Sequence, residues 1–172
     1  MNIDTIGPGK KAPEIINVII EVPKGSNNKY EFDKEAGIVK LDRVLYSAVF
    51  YPTDYGFVPN TLCDDGDPLD AFVLSTNAFC PGVWVEARPI GMIQMVDGGE
   101  QDDKLLCVPA KDPRFDHVKT IRDVSPHGLK EIQHFLSTYK LLQKKTVVVK
   151  EWQGVEDAHA LIRKSIKNYS KK

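Results

Sequence analysis

VWVEARPIGMIQMVDGGEQDDKLLCV, Val83–Val108, is the stretch on which the fold turns. Its first part, Val83–Val96, is long, apolar and rich in β-branched residues, which predicts a strand. Lys104–Val108 is a second strand candidate. Between them runs Asp97-Gly98-Gly99-Glu100-Gln101-Asp102-Asp103, and its paired glycines signal a chain reversal. The stretch therefore reads as a long antiparallel hairpin. Asp97 and Asp102 flank its loop, where both can face one point.

Upstream the pattern is also of strands. Glu14–Val22, EIINVIIEV, is short, β-branched and bounded by Pro13 and Pro23, as a buried strand would be. Lys29–Asp33, Ile38–Leu45 and Asp70–Ser75 follow, and Lys145–Trp152 lies downstream. GSNN, DDGDP and CPG separate these segments. Helical spacing is confined to the C-terminal third. Ser125-Pro126 suggests an N-cap with Pro at the first helical position, followed by Leu129, Ile132, Leu136 and Tyr139. A second helix is expected from Val155 to about Asn168. Strands followed by helices predict an α+β fold with a closed or nearly closed antiparallel β-barrel.

The 172 residues fit one compact domain spanning 1–172, with no repeat and no convincing linker. The formal net charge of -1 argues against a general nucleic-acid binder, which would carry a basic face. Cys63, Cys80 and Cys107 are odd in number and lack CxxC spacing, so they predict reduced, structural thiols. MNIDTIGPGKK lacks the apolar core of a secretory signal. No run approaches the length of a membrane span. The expectation is a cytoplasmic protein with no membrane partner, whose ends, Met1–Ala12 and Ser170–Lys172, are loosely held.

Asp64-Asp65-Gly66-Asp67-Pro68-Leu69-Asp70 is the strongest functional signal. These carboxylates repel one another, and a fold gains nothing by crowding them. Where the chain is extended, Asp65 and Asp67 point the same way. Pro68 excludes a helix interior, and Asp70 opens a strand, so it has a rigid base. Hard oxygen ligands converging from a turn suit Mg²⁺. A solvated Asp/Gly/Pro turn is the ordinary alternative. An EF-hand fits poorly, because Pro interrupts the loop and no Glu follows at the required distance. The Asp97–Asp103 loop alone reads as a polar hairpin tip. Taken with Asp65–Asp70, it completes a site for more than one metal ion.

Lys29, Arg43, Tyr51, Tyr55 and Lys104 fall at strand ends, and Tyr139-Lys140 on the first helix. Such groups donate to phosphate oxygens. Each also has a plainer reading. Lys29 and Lys104 read equally as solvated lysines, and Arg43 as a partner of Asp42 or Glu31. Tyr51 and Tyr55 read equally as core aromatics with a wet hydroxyl. His117, His127, His134 and His159 lack metal-ligand spacing and read as surface or interface residues.

DGDPLDA at Asp65–Ala71 resembles the signature of the family I soluble inorganic pyrophosphatases, and the chain length resembles their short bacterial type. KYEFDK, LDR around Arg43, FYPTDYGFVPNT, D-x4-D-x-K at Asp97–Lys104 and HFxxxYK at His134–Lys140 resemble the same family, in the same order. The resemblance runs from about Glu14 to about Trp152. It implies a small OB-like barrel with peripheral helices, several Mg²⁺ ions per site, pyrophosphate as substrate, and a homohexamer. By matching position, Asp65, Asp70, Asp97 and Asp102 correspond to metal ligands, and Glu21 to a further acidic position. Asp67 corresponds to the general base. Lys29, Arg43, Tyr55, Lys104, Tyr139 and Lys140 correspond to phosphate-binding residues, with Glu31 and Tyr51 in support. The last helix matches loosely and receives no role. Another Mg²⁺-dependent phosphohydrolase, or a non-catalytic OB-like binding module, is the competing expectation.

Overall fold

A computed structural model of the chain describes residues 3–171. β1 (Ile16–Val22, INVIIEV) is built of β-branched residues, and nearly all of them are buried, because the strand is covered on both faces. It pairs antiparallel with β4 (Asp54–Phe57) on one side and with β6 (Trp84–Asp97) on the other. β4 pairs with β5 (Asp70–Val73), β5 with β8 (Lys104–Pro109), and β8 with β6. The path β1-β4-β5-β8-β6 thus returns to β1. The end of β6 also carries the short β7 (Glu100–Gln101) and β9 (Val147–Gln153). β2 (Asn28–Asp33) and β3 (Ile38–Val44) form a separate two-stranded sheet. α1 (Pro126–Thr138) and α2 (Val155–Tyr169) complete a mixed α+β fold with a mostly sheet core.

Strand alternation divides the core. In β5, Phe72 packs with Ile93, Leu106, Ile132 and Phe135 on the α1 side, while Ala71 and Val73 join Leu69, Leu105 and Ile162 on the α2 side. Each fully buried Leu, Ile or Phe contributes roughly 1.5–3 kcal/mol relative to exposure. Gly56 allows β4 to reach β1, since a Cβ there would lie 1.8 Å from the Ile19 carbonyl oxygen.

Several expectations change. β4 is a strand that the sequence did not suggest. The β5–β8 pairing is parallel, so the sheet is not wholly antiparallel. Ser125 stands at the N-cap of α1, but its hydroxyl makes no capping bond. The start of the chain is anchored as far as it is described. Ile3 is buried against Ile19 and Phe57, and Asn17 Nδ2 donates to the carbonyls of Ile6 (3.3 Å) and Gly7 (3.2 Å). Ser170 and Lys171 remain bonded to the last turn of α2, their amides donating to Ile166 O (3.1 Å) and Asn168 O (3.2 Å). Met1, Asn2 and Lys172 lie outside the described residues. Among the described residues, no helix is long and apolar enough to cross a membrane.

Candidate active site

The paired strands β4, β5 and β8 present the first group of polar side chains. Tyr55 in β4 donates its hydroxyl to Asp70 Oδ2 across β5 (2.5 Å). Lys104 opens β8 beside it and is only 3% exposed. Its ammonium donates to Asp70 Oδ2 (2.5 Å) and also to Asp102 Oδ1. A buried cation therefore bridges carboxylates from two separate segments. At the end of β6, Asp97 pairs with Lys140, which follows α1. Tyr139, the C-cap of that helix, is buried beside it.

Two more segments close around these groups. β1 has an irregular register between Ile20 and Val22, which is where Glu21 sits. Glu21 Oε1 accepts the Phe32 amide at 2.7 Å, joining β1 to the β2–β3 sheet. That sheet brings Lys29, paired with Glu31, and Arg43, paired with Asp42. Lys29 also lies 3.6 Å from Asp42. The plainer reading of Arg43 as an Asp42 partner is thus realised, while Arg43 Nε stays buried with no hydrogen-bond partner. The acidic loop is shaped by its own backbone. Gly66 has φ +89°, the Cys63 amide donates to Asp67 O (2.8 Å), and the Asp67 amide donates to Asp65 Oδ1 (3.0 Å).

These groups line one cavity of about 390 Å³, and every residue singled out from the sequence as catalytic, substrate-binding, metal-binding or supporting is on its wall. The sequence also pointed to acids that the structure sends elsewhere. Asp64 turns away to Lys164 Nζ (2.6 Å), and Asp103 Oδ1 accepts the Met95 amide (3.1 Å). Lys34, in the β2–β3 turn, and Glu100, in β7, join the cavity wall without having been singled out. Both stood inside quoted motifs, but nothing local distinguished them from solvated neighbours. None of the four histidines reaches the cavity. All three cysteines are free thiols.

Burial and charge leave the site short of positive charge. Burial pushes the Glu21 carboxyl up to about 8, with Asp70 and Glu31 adding repulsion against the opposing Phe32 amide and Lys29. Burial likewise raises Asp65 and Asp102 above the usual carboxylate range. For Lys104, burial works downward, but Asp70 and Asp102 outweigh it and hold the ammonium firmly charged. Burial raises the phenols of Tyr51, Tyr55 and Tyr139, which keeps them protonated donors.

The donor set fits a hard divalent cation, since carboxylate oxygens of Asp65, Asp70, Asp97 and Asp102 face one space. Two of these acids are raised by burial, and an added cation relieves that penalty. With Lys104 and Lys140 interleaved among them, no three acidic, His or Cys side chains among the described residues are gathered closely enough to hold an ion as they stand.

A family profile for inorganic pyrophosphatase matches residues 18–170. The chain is 54% identical to an inorganic pyrophosphatase of Nostoc sp. over 162 residues, covering 94% of this chain and 96% of that protein. It is 54% identical over 157 residues to that of Geobacillus stearothermophilus, covering 91% and 95%. The crystal structure of inorganic pyrophosphatase from Thermus thermophilus superposes with a TM-score of 0.95 at 47% identity, covering 99% of each chain.

Proposed function

The chain belongs to the inorganic pyrophosphatase family and is an inorganic diphosphatase; from that premise we propose that it hydrolyses pyrophosphate to two phosphates with Mg²⁺, using Asp67 as general base. The observation that carries this reading is the single cavity in which carboxylates of Asp65, Asp67, Asp70, Asp97 and Asp102 alternate with Lys29, Arg43, Lys104 and Lys140.

Pyrophosphate is a polyanion, so a wall of carboxylates alone would repel it. Asp65, Asp70, Asp97, Asp102 and Glu21 would hold several Mg²⁺ ions, which neutralise phosphate oxygens and make water more acidic. Lys29, Arg43, Lys104 and Lys140 donate charge-assisted bonds to the phosphate oxygens, and Tyr55 and Tyr139 add neutral donors. Glu31 and Tyr51 support them, Glu31 through Lys29 and Tyr51 through ring contact with Tyr55. A water oxygen bonds to one phosphorus, and the bridging oxygen leaves with the other phosphate. Asp67 takes the proton of the attacking water. Its backbone is fixed at both amide and carbonyl, while its side chain remains exposed and accessible to water. The fixed cations then offset charge on the leaving phosphate without reorganising.

We read the returning strand path as an OB-like barrel, residues 1–172 as one catalytic domain, the cytoplasm as its location and a homohexamer as its assembly. Exposed Tyr46, Phe50, Trp84 and Leu142 supply apolar surface that subunit contacts would cover. The activity is tested by phosphate release from pyrophosphate, ATP and a phosphomonoester, each with Mg²⁺ and with EDTA. Pyrophosphate with Mg²⁺ should dominate. Full activity in metal-free buffer, or a preference for the phosphomonoester, refutes the reading.

A further inference from the structure

α2 meets the acidic loop through directed bonds from the face that carries Lys164, Ser165 and Asn168. The Leu62 amide donates to Ser165 O at 3.0 Å, and Asn168 Nδ2 donates to Leu62 O at 3.4 Å. Cys63 Sγ lies 3.6 Å from Ser165 Oγ, and Ser165 is 1% exposed. Lys164 Nζ pairs with Asp64 Oδ2 at 2.6 Å. Three consecutive loop residues are therefore each held by the helix. A small cavity of about 40 Å³ remains in the joint, so these directed bonds act beside the apolar cluster that Cys63 and Leu69 share with Ile162.

The hold passes onward within the loop. The Cys63 amide bonds Asp67 O, and the Gly66 amide bonds Cys63 O at 3.1 Å. The other end of the loop is fixed differently. Leu69 is fully buried, and its amide donates to Thr61 Oγ1 at 2.9 Å. Thr61 and the burial of Leu69 thus secure the exit of the loop, and α2 secures its entry.

We propose that Lys164, Ser165 and Asn168 are positioning residues, which set the aim of Asp65 and Asp67 through Leu62, Cys63 and Asp64. The inference rests on the roles given to Asp65 and Asp67 in the proposed reaction. A side chain on a rigid helix aims a loop more exactingly than the loop can aim itself. Misplacing a reacting group by about 1 Å can cost roughly 10²-fold in rate.

The test compares wild type, Asn168→Ala, Lys164→Met, Lys164→Arg and the packing control Ile162→Val. The first readout is hydrogen exchange of the 62–70 amides in EDTA, which needs no metal and no substrate. The second is the Mg²⁺ concentration for half-maximal kcat with pyrophosphate. Asn168→Ala and Lys164→Met should speed exchange of the loop while leaving β6 protected. They should raise the half-saturating Mg²⁺ by about tenfold, with kcat recovered at high Mg²⁺. Lys164→Arg should restore both values. Ile162→Val should lower Tm and move neither. The inference is overturned if both loop variants stay within about twofold of wild type in either readout, or if Ile162→Val moves both as far. A wild type without Mg²⁺-dependent pyrophosphate hydrolysis refutes the function instead, while the exchange result still decides whether α2 holds the loop.

Discussion

Lys104→Met is the most informative single change. The Lys104 side chain is 4% exposed and bridges Asp70 and Asp102, whose side chains are 24% and 20% exposed. Removing one partner of a buried ion pair costs about 3–5 kcal/mol, because the remaining charge is stranded. Here two carboxylates are stranded, but water reaches both, so about 3 kcal/mol is the expected loss in metal-free protein. For a chain of this size that lowers Tm by about 6–12 °C. Met preserves the length of the stem, so lost packing is a minor contribution. Mg²⁺ should narrow the gap, since a cation held by Asp70 and Asp102 replaces the missing ammonium. In the wild type, Mg²⁺ at a hundredfold excess over Kd adds roughly 2.7 kcal/mol, and the variant should gain more. The assay is thermal and urea unfolding of both proteins in EDTA and across a Mg²⁺ titration. A loss under about 1 kcal/mol in EDTA, or a gap that Mg²⁺ leaves unchanged, refutes the reasoning.

Asp67→Asn should lower kcat by roughly 10²–10⁴-fold with little change in Mg²⁺ requirement, whereas Asp70→Asn should weaken Mg²⁺ binding and recover part of its activity at high Mg²⁺. A Mg²⁺ titration of kcat for both variants decides, and rescue of Asp67→Asn alone would reverse the two roles. Glu21 stays protonated in the folded, metal-free protein up to about 8 against an ordinary 4.5, so the unfolded chain ionises first and Glu21 costs stability as pH rises through that window. Glu21→Gln should therefore match wild type below about 4.5, gain on it as pH rises, and level off above about 8; urea unfolding in EDTA at pH 5 and pH 8 with equal gaps would contradict this. Gly56→Ala should destabilise by about 3 kcal/mol or more, because its Cβ meets backbone rather than a movable side chain; a Tm within 2–4 °C of wild type, the shift for about 1 kcal/mol, would show that β1 and β4 can part.

The sequence was most legible where chemistry constrains it. Asp65, Asp67 and Asp70 stand out because an apolar fold has no use for acids at that spacing, and all three reach the cavity. Asp64 has the same local signature yet turns to Lys164, a partner a hundred positions away in the chain that no local reading supplies. Asp54 is harder still. It is fully buried and accepts the Lys24 amide (3.1 Å), the Phe79 amide (2.9 Å) and the Ser75 hydroxyl. It is a structural carboxylate that sequence alone cannot separate from a functional one. β4 escaped notice because Asp54 and Gly56 are poor strand formers, and the neighbours β1 and β5 impose the conformation. The parallel β5–β8 pairing was invisible for a related reason. Local pattern shows that a segment is a strand, and says nothing about which distant strand will lie beside it.

β6 also governs the order in which the chain can be completed. β1, β4 and β5 emerge early in synthesis, but β1 waits for Trp84–Ala87 of β6 to cover its second edge, and β5 waits for Leu105–Cys107 of β8. Until Lys104–Pro109 has left the ribosome, β5 and β6 each lack the partner that covers one edge. Such closure over long separations is slow and open to association between nascent chains. A stall or truncation within the Asp97–Asp103 loop should therefore favour association, because it frees β6 without β8. Fragments ending there should partition to aggregates, whereas chains that extend past Pro109 can close the path β1-β4-β5-β8-β6, with Met92–Asp97 of β6 still awaiting β9.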